Sequence, residues 1–468
     1  MVEIIIGNSK GKIECPYVIL SKLRAVLRIR VPGAWYSPAY RNRTWDGFSY
    51  YITESGYFFL GLLPKVIENL KKLEIDYEIT DTRQNLFPGK IVTKFNKVTL
   101  REYQLAAVKS VLYNRVEGLP FQRGILDEAT NAGKTLIAAS IFKTYPDDTK
   151  LIFIVNRQHL YLQLKKEVAE LVGSNELGYI GADGFKMNRF MVCMAQTISK
   201  SRKYQDLLER FDICILDECH YCSSPTYKYI LHHLENCSVR VGLSGTPLKH
   251  KDKNKNEKIL SFFGPPLHTT SNKDLIDAGF STPPIVTISK GNTLVKVNGD
   301  YKAEETNGII LSKERNGKVL SRVKLHISKG RYPLLLIAKF HNHTELLFKK
   351  VKKAFPYLKV NYIHVGVKNR IEILEQFKAG EIDILVSSKL IKEGQNLPLI
   401  KALVLACGGD SQIDLVQLVG RALRKHHTKK KVYIDDFYDQ GFYLKRHSNN
   451  RLKEYKRQQF KIVKKYEA

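Results

Sequence analysis

The chain has 468 residues, of which 43% are hydrophobic and 26% are charged. This composition is that of an ordinary globular protein, and the length indicates about two to four domains with buried cores. Lys and Arg (76) outnumber Asp and Glu (46), which gives a formal net charge of +30. Such an excess is larger than solubility requires, and it makes nucleic acid the first candidate partner.

The sequence argues against a membrane-spanning protein and against a secreted protein. No stretch of about 18 apolar residues is present, and the first residues lack the basic start and apolar run of a secretory signal. We therefore expect no membrane partner and a cytoplasmic location, that of a bacterial or phage-infected cell. The seven cysteines are scattered and odd in number, which favours reduced thiols over a disulfide scaffold.

Residues 1–90 predict a small α+β N-terminal domain. The segment from Trp35 to Phe48 interleaves aromatic residues with Arg41 and Arg43 and contains Trp45. Aromatic rings stack on unpaired bases and arginines bind phosphate, so these three residues are candidates for nucleic-acid binding. The alternative is that the rings, Trp45 above all, form a core around an Asp46-Gly47 hairpin turn.

From about residue 120, short apolar β-branched runs alternate with helical stretches, and the rhythm restarts after Pro283-Pro284. Apolar strands separated by helices predict parallel sheets covered on both faces. The predicted fold class is therefore α/β, with two tandem parallel-sheet domains at 91–270 and 271–440, after the N-terminal domain. Residues 441–468 are basic and are predicted to be a C-terminal tail.

The segment Ala129–Thr135 predicts a phosphate-binding loop, because it follows a strand and opens a helix. Backbone N–H groups of such a loop, here at Thr130, Asn131, Ala132 and Gly133, cradle phosphate. Lys134 would neutralise the β- and γ-phosphates, and Thr135 would offer its hydroxyl to Mg²⁺. Glu128 stands where the full pattern has its first glycine. The alternative is a chance Gly-Lys-Thr helix cap.

Asp217 and Glu218 follow the apolar run Ile213–Leu216, so they emerge at the carboxyl end of a predicted strand. Asp217 would hold the metal ion, and Glu218 would orient or deprotonate the attacking water. Two acids in a solvated turn are the alternative.

In the second α/β domain, Gln417, Gly420, Arg421 and Arg424 recur at helical spacing, which predicts one helical face. Arginines placed there are candidates for stabilising transition-state charge on the γ-phosphate. A surface helix with salt bridges is the alternative.

As an ordered set, these motifs resemble those of superfamily 2 helicases of the DExH type, over most of residues 95–435. The resemblance implies two RecA-like motor domains, ATP and Mg²⁺ as cofactors, and nucleic-acid-stimulated ATP hydrolysis. It further implies roles for individual residues: adenine recognition by Arg101 and Gln104, nucleotide contacts from Gly394 and Asn396, coupling by His220, Ser244 and Thr246, and strand contacts from Arg157, Gln196, Thr197, Lys339 and Ser388. Asn396 stands where the family often carries Asp.

The Trp-Asp-Gly element at 45–47 resembles that of phage branch-migration helicases of the UvsW type. This resemblance implies an ATP-dependent DNA helicase or translocase acting on forked or four-way-junction DNA, with replication or recombination proteins as further partners. We expect a monomer. Two alternatives stay open: an RNA helicase, and a nucleic-acid-binding scaffold with a silent ATPase.

Overall fold

The structure, a computed structural model, describes residues 2–84, 86–96, 98–292, 300–388, 397, 399–409 and 412–465, with backbone alone at 412–414 and 464–465. Contacts divide the chain into two units. The first comprises the residues up to Glu128 together with Ala132–Thr270. The second runs from Ser271 onward and includes Ala129–Asn131.

The N-terminal domain is built on a four-stranded sheet of order β5-β2-β1-β6, in which β1 pairs antiparallel with β2 and parallel with β6. Buried and exposed side chains alternate along β1, so Val2, Ile4 and Ile6 face the helices α1 and α3. Its elements are β1 (Val2–Ile6), β2 (Lys10–Glu14), α1 (Tyr17–Val26), β3 (Arg28–Arg30), a 3₁₀ turn (Ala34–Tyr36), α2 (Pro38–Arg41), β4 (Phe48–Tyr50), β5 (Tyr57–Phe59), a 3₁₀ turn (Leu60–Leu62), α3 (Leu63–Lys72) and β6 (Tyr77–Asp81).

This domain packs directly into the first α/β domain. A Cβ added at Gly61 would lie 2.3 Å from the carbonyl oxygen of Leu260, so glycine is needed where the two backbones meet. The buried Arg123 guanidinium donates to the carbonyl of Asn8, and Lys65 forms an ion pair with Glu257 at 2.6 Å. The N-terminal domain is thus part of the first unit.

The first α/β domain has an eight-stranded sheet of order β14-β13-β15-β12-β16-β17-β11-β18, parallel except for the β13–β14 pair. Apolar clusters cover both of its faces. Its elements are β7 (Lys94–Phe95), β8 (Val98–Thr99), α4 (Glu102–Leu112), β9 (Arg115–Val116), β10 (Leu119–Pro120), β11 (Arg123–Glu128), α5 (Lys134–Thr144), β12 (Leu151–Val155), α6 (Gln158–Val172), β13 (Leu177–Gly181), β14 (Gly184–Lys186), β15 (Phe190–Met194), α7 (Ala195–Ser199), a 3₁₀ turn (Arg202–Tyr204), α8 (Gln205–Leu208), β16 (Ile213–Asp217), a 3₁₀ turn (Cys219–Tyr221), α9 (Pro225–His233), β17 (Val239–Ser244), α10 (Lys253–Phe263) and β18 (Pro266–Thr270).

The second unit holds a seven-stranded parallel sheet of order β21-β22-β20-β23-β24-β19-β25. Apolar clusters again lie on both faces. Its elements are α11 (Asn272–Asp277), β19 (Pro284–Lys290), α12 (Tyr301–Glu305), a π-helical turn (Thr306–Ile310), α13 (Lys313–Ser328), β20 (Leu334–Ile337), α14 (His341–Ala354), β21 (Val360–Ile363), α15 (Arg370–Ala379), β22 (Ile384–Ser387), β23 (Ala402–Leu405), α16 (Gln412–Ala422), β24 (Val432–Tyr438), α17 (Phe442–Arg457) and β25 (Lys461–Lys465). The predicted α/β class with two RecA-like domains is confirmed.

Residues 441–465 of the predicted C-terminal tail are part of the second domain, and the prediction was wrong for them. Strand β25 pairs in parallel with β19 and extends the second sheet. Helix α17 is anchored by the buried Arg451, whose guanidinium donates to Asp436 at 2.9 Å, and by Tyr455, whose hydroxyl reaches the same carboxylate. The basic residues of this segment therefore include a structural ion pair as well as solvated side chains.

Two further features bear on the predictions from composition. Within the described residues, no helix combines the length and apolarity that a membrane crossing requires. All seven cysteines are free thiols, five of them buried.

Candidate nucleotide and nucleic-acid sites

The predicted phosphate-binding loop joins β11 to α5, which begins at Lys134. Gly133 adopts a left-handed conformation with φ +81°, and a Cβ added there would lie 2.3 Å from the side-chain nitrogen of Gln104. Asn131 is also left-handed, with φ +78°. The loop therefore requires glycine at 133 for two independent reasons: backbone conformation and space.

Gln104 supports the loop in this structure. Its Nε2 donates to the carbonyl of Ala132 at 2.8 Å, and its Oε1 accepts from the backbone N–H of Arg101 at 2.9 Å. The Tyr103 hydroxyl reaches the same Ala132 carbonyl at 3.1 Å. The adenine contact expected of Gln104 would require one of its two polar ends to exchange partners.

Lys134 lies among four carboxylates and, within the described residues, forms no salt bridge with any of them. Burial lowers the pKa of its ammonium, but the charges of Glu218, Asp217, Glu128 and Asp127 outweigh burial and hold that pKa above its usual value. The side chain is therefore a protonated cation at the start of α5, in the position where a helix N-terminus and a lysine together bind phosphate.

The two acids differ in their electrostatics. Burial, together with the charge of Glu218, raises the pKa of Asp217. Burial also acts to raise the pKa of Glu218, but the hydrogen bond with His220 and the charge of Lys134 outweigh it and lower that pKa. Glu218 is thus the more readily ionised of the two carboxylates, and the charge of Lys134 offsets the cost of ionising Asp217 only in part.

The residues present fit a magnesium ion. Asp217 is a half-buried carboxylate whose ionised form is destabilised, and a cation beside it would reduce that cost. No cluster of three or more His, Cys, Asp or Glu side chains suited to a metal occurs among the described residues. Mg²⁺ takes one or two protein ligands and completes its shell with phosphate and water, so it does not need such a cluster. The Thr135 hydroxyl donates to Glu167 at 2.7 Å here, and it would have to leave that partner to bind a metal.

The three predicted coupling residues lie in one buried network with Glu218. His220 Nδ1 lies 3.2 Å from Glu218 Oε2 and 3.1 Å from Ser244 Oγ. The Ser244 hydroxyl also donates to Glu218 at 3.3 Å and accepts from the backbone N–H of Thr246 at 3.1 Å. A displacement of the Glu218 carboxylate therefore acts directly on Ser244, the last residue of β17.

In the second unit, Gln417 and Arg421 lie on α16 and are largely buried. Arg424 does not continue that helical face, and the prediction was wrong on this point. The helix ends at Ala422, whose carbonyl accepts from Lys429, and the backbone of Arg424 forms a β-bridge with Ser281. Pairing with that extended segment replaces the last helical turn.

Two predicted strand-binding residues of the second unit are engaged elsewhere in this structure. Lys339 forms an ion pair with Glu305 at 2.6 Å and a hydrogen bond with the Tyr301 hydroxyl. Ser388 is buried, and its backbone N–H donates to Ile363 at 3.0 Å. The predicted nucleotide contacts Gly394 and Asn396 lie outside the described residues.

In the first unit, two of the three predicted strand-binding residues come together. Arg157, at the start of α6, and Gln196, on α7, line one open cavity of about 380 Å³ with Tyr221 and Thr226. Thr197 is the next residue of α7 and is half-buried. The carboxyl ends of β12 and β15 thus present polar side chains to a shared recess.

The aromatic segment of the N-terminal domain is a long loop, not a hairpin turn at Asp46-Gly47. It connects β3 to β4 and includes α2, because 17 residues separate the paired strands Arg28–Arg30 and Phe48–Tyr50. Arg41 and Arg43 are exposed on it. Trp45 is half-buried, and its indole N–H donates to the carbonyl of Phe48 at 2.8 Å, which ties the ring to the base of the loop.

Sequence reasoning missed two acidic partners beside the nucleotide site. Glu128, noted only as a departure from the glycine pattern, is buried and lies 2.7 Å from His268 Nδ1. Glu167 holds the Thr135 hydroxyl from α6. Neither belongs to a local motif, so only the fold reveals them.

The fold and these sites define a two-domain, ATP-hydrolysing helicase motor. Residues 97–249 match the family described as the res subunit of type III restriction enzymes, and residues 318–426 match the helicase conserved C-terminal domain. These two domains identify the chain as a helicase of superfamily 2, and its sequence is similar to that of the UvsW type.

Individual relatives agree with this assignment. The ATP-dependent DNA helicase uvsW of Enterobacteria phage T4 is 24% identical over 480 residues, which cover 95% of this chain and 92% of that protein. The putative ATP-dependent helicase IRC3 of Saccharomyces cerevisiae is 26% identical over 367 residues, 73% of this chain. This chain spans about half (52%) of the length of that yeast relative. A fragment of a putative HsdR subunit of a type I restriction enzyme from Vibrio vulnificus has the same fold, with a TM-score of 0.55, 21% identity, and coverage of 74% of this chain and 65% of that one.

Proposed function

We propose that this protein is an ATP-dependent DNA helicase or translocase that unwinds or branch-migrates forked and four-way-junction DNA. The observation that carries the proposal is the buried network of Glu218, His220, Ser244 and Thr246. Through this network the ionised Glu218 is hydrogen-bonded directly to the 244–246 segment. An ATPase that moves nothing would not need this connection.

The residues of the first unit fit the roles that ATP hydrolysis requires. The loop at 130–133 and the start of α5 would bind the phosphates, and Lys134 would neutralise them. Thr135 and Asp217 would hold Mg²⁺, which when bound polarises the phosphoryl oxygens. Glu218, whose pKa is lowered, is ionised and suited to orient or deprotonate the attacking water.

Residues of the second unit complete the proposal. We assign to Arg421 the stabilisation of charge that develops on the γ-phosphate, with Arg424 and Gln417 as supporting residues, by their match to the family motif. Guanidinium groups in this role act mainly on turnover, because they pair with charge present only in the transition state.

The nucleic acid is proposed to be DNA. The named DNA helicase uvsW is similar over nearly the whole of this chain, N-terminal domain included. The charge of +30 favours a polyanion. Arg157 and Gln196 line a recess suited to a strand backbone, and the exposed Arg41 and Arg43 extend from the N-terminal domain. We propose that the protein acts as a monomer in the cytoplasm, with replication or recombination proteins as partners.

The test is DNA-stimulated ATP hydrolysis by Lys134→Ala. We expect turnover to fall at least about 100-fold with the fold intact, because the loop loses the charge that would neutralise the β- and γ-phosphates. Lys143→Ala, on the same helix but paired with Glu176 at 3.3 Å, is the control and should retain activity.

The outcome separates the alternatives. Normal turnover by the Lys134→Ala protein would contradict the assigned site. Wild-type protein stimulated by RNA but not by single-stranded or forked DNA would be an RNA helicase, and protein without any turnover would be a scaffold.

A further inference from the structure

A second cavity lies in the first unit, outside every helicase motif. It has a volume of about 570 Å³ and opens between strands β4 and β5 of the N-terminal domain and helices α9 and α10 of the first α/β domain. This volume is in the range of small-ligand sites. Its aromatic walls are Tyr50, Tyr51, Tyr57, Phe58, Phe59 and Phe262.

The aromatic rings offer surfaces for stacking. Phe59 packs against Phe262 with ring centroids 4.5 Å apart and against the edge of His232 at 4.8 Å. At the mouth, Tyr50 on β4 and Tyr57 on β5 are 39% and 46% exposed. A planar, uncharged group can therefore enter between exposed rings and reach a packed aromatic floor.

The cavity also holds positive charge, which the carboxylate of Asp252 offsets in part. Lys228 from α9 and Lys258 from α10 both line it, and within the described part of the chain neither forms a salt bridge. Burial, and after it the charge of Lys228, lowers the pKa of Lys258, so the two ammonium groups are close enough to repel each other. Two lysines held together in this way provide an anion site, since an anion between them would remove the repulsion.

The cations nearer the mouth are each paired with a carboxylate. The Arg24 guanidinium lies 4.8 Å from the centre of the Tyr50 ring and pairs with Glu54 at 3.3 Å. The Lys12 ammonium lies 5.6 Å from the centre of the Tyr57 ring and pairs with Glu14 at 2.5 Å. Lys10, also in the wall, is paired with Glu235 at 2.8 Å. The anion site therefore consists of the two inner lysines, because the outer cations already have carboxylate partners.

We propose that this cavity binds one unpaired nucleotide of a DNA single strand, with its base among the aromatic rings and its phosphate on Lys228 and Lys258. The inference rests on the proposed function, because it gives the DNA an additional contact beside the motor. Aromatic stacking together with lysine contacts to phosphate is how sequence-independent single-strand sites are built. An apolar segment of another protein would fill the rings but leave both lysines without a partner.

The test measures binding of a fluorescent 12-nucleotide oligo(dT) to the full-length protein by anisotropy, without ATP. We expect the double variant Lys228→Ala/Lys258→Ala to bind about 10-fold more weakly at low salt. The control, Lys253→Ala/Lys255→Ala, removes the same charge from exposed positions of α10 that do not line the cavity, and it should change affinity less than about 2-fold. Equal affinities of the two double variants would overturn the proposal.

A second pair of variants tests the base contact. Tyr57→Ala should weaken binding about 5-fold or more, and Tyr57→Phe should restore it, because stacking needs the ring and not the hydroxyl. In parallel, an oligonucleotide carrying 5-iodouracil should crosslink to Tyr50, Tyr57 or His232 under ultraviolet light, as mapped by mass spectrometry. Crosslinks confined to other regions would overturn the proposal.

An apolar segment of another protein as the occupant of the cavity would give a different result. If the oligonucleotide fails to displace an apolar fluorescent dye from the cavity, the site takes an apolar segment of another protein and the proposal fails. These measurements need no ATP hydrolysis. Loss of DNA-stimulated ATPase in the wild type would therefore refute the proposed function alone.

Discussion

Ser244→Ala tests whether the buried network couples ATP hydrolysis to movement on DNA. The Ser244 hydroxyl donates to Glu218 at 3.3 Å, contacts His220 Nδ1 at 3.1 Å and accepts from the Thr246 N–H at 3.1 Å. The substitution removes all three contacts and leaves the shape of the side chain almost unchanged. Glu218 and His220 keep each other at 3.2 Å.

The stability cost follows from these contacts. A buried group left without a partner costs about 1–3 kcal/mol, and the N–H of Thr246 is the group left so. A cost of about 2 kcal/mol corresponds to a fall in melting temperature of about 4–8 °C for a unit of this size. The larger effect should be functional, because the connection from Glu218 to the 244–246 segment is lost while Glu218 itself remains in place.

The assay measures saturated DNA-stimulated ATPase turnover and base pairs unwound per ATP on a forked duplex. We expect turnover to be largely retained and base pairs unwound per ATP to fall at least about 5-fold. Ser140→Ala is the control: this buried serine donates to the carbonyl of Val92 at 2.7 Å, so its loss costs about 1 kcal/mol away from the network. The same number of base pairs per ATP in both variants would refute the reasoning.

Three further predictions follow from other parts of the chain. Arg421→Ala should retain ATP affinity but lose ATPase turnover, and Arg421→Lys should retain only part of the turnover. A change in ATP affinity alone would contradict a transition-state role for Arg421. Arg41→Ala/Arg43→Ala should weaken binding to forked DNA more than to plain single strands, and equal losses would show that the loop does not recognise structure. Burial, with the charge of Arg315, lowers the pKa of His343 to about 3 from about 6.5 in the unfolded chain. Below pH 6.5 the His343 imidazole binds a proton in the unfolded state but not in the folded state. Its contribution to the free energy of unfolding is therefore fully present above pH 6.5 and is lost as pH falls towards 3. At pH 5.5 the contribution of His343 to the loss is about 1.4 kcal/mol, and melting curves of His343→Gln should show a loss smaller by about that amount.

Local motifs were predictable because their chemistry depends on neighbours in the sequence. The strand, loop and helix around Lys134 and the strand end at Asp217 are each specified within about ten residues. The C-terminal strand was not predictable, because its pairing of Ile285 with Lys461 spans most of the second unit and its sequence is mostly lysine. Likewise, the partners Glu167 and Glu128 come from a separate helix and from a buried strand end.

The backbone at Glu218 adds a constraint that the motif alone does not reveal. This residue has φ +52°, a conformation that costs a non-glycine residue about 1–3 kcal/mol. Hydrogen bonds on both sides offset the cost: the Glu218 N–H donates to Asp217 at 3.0 Å, and its carbonyl accepts from the N–H of Tyr221 at 3.0 Å. Because the carboxylate is also held by His220 and Ser244, the turn and the network fix the acid in one orientation. The four residues Asp217 to His220 therefore encode a geometry as well as two acids, which is why the spacing between the acids and the histidine matters to the chemistry.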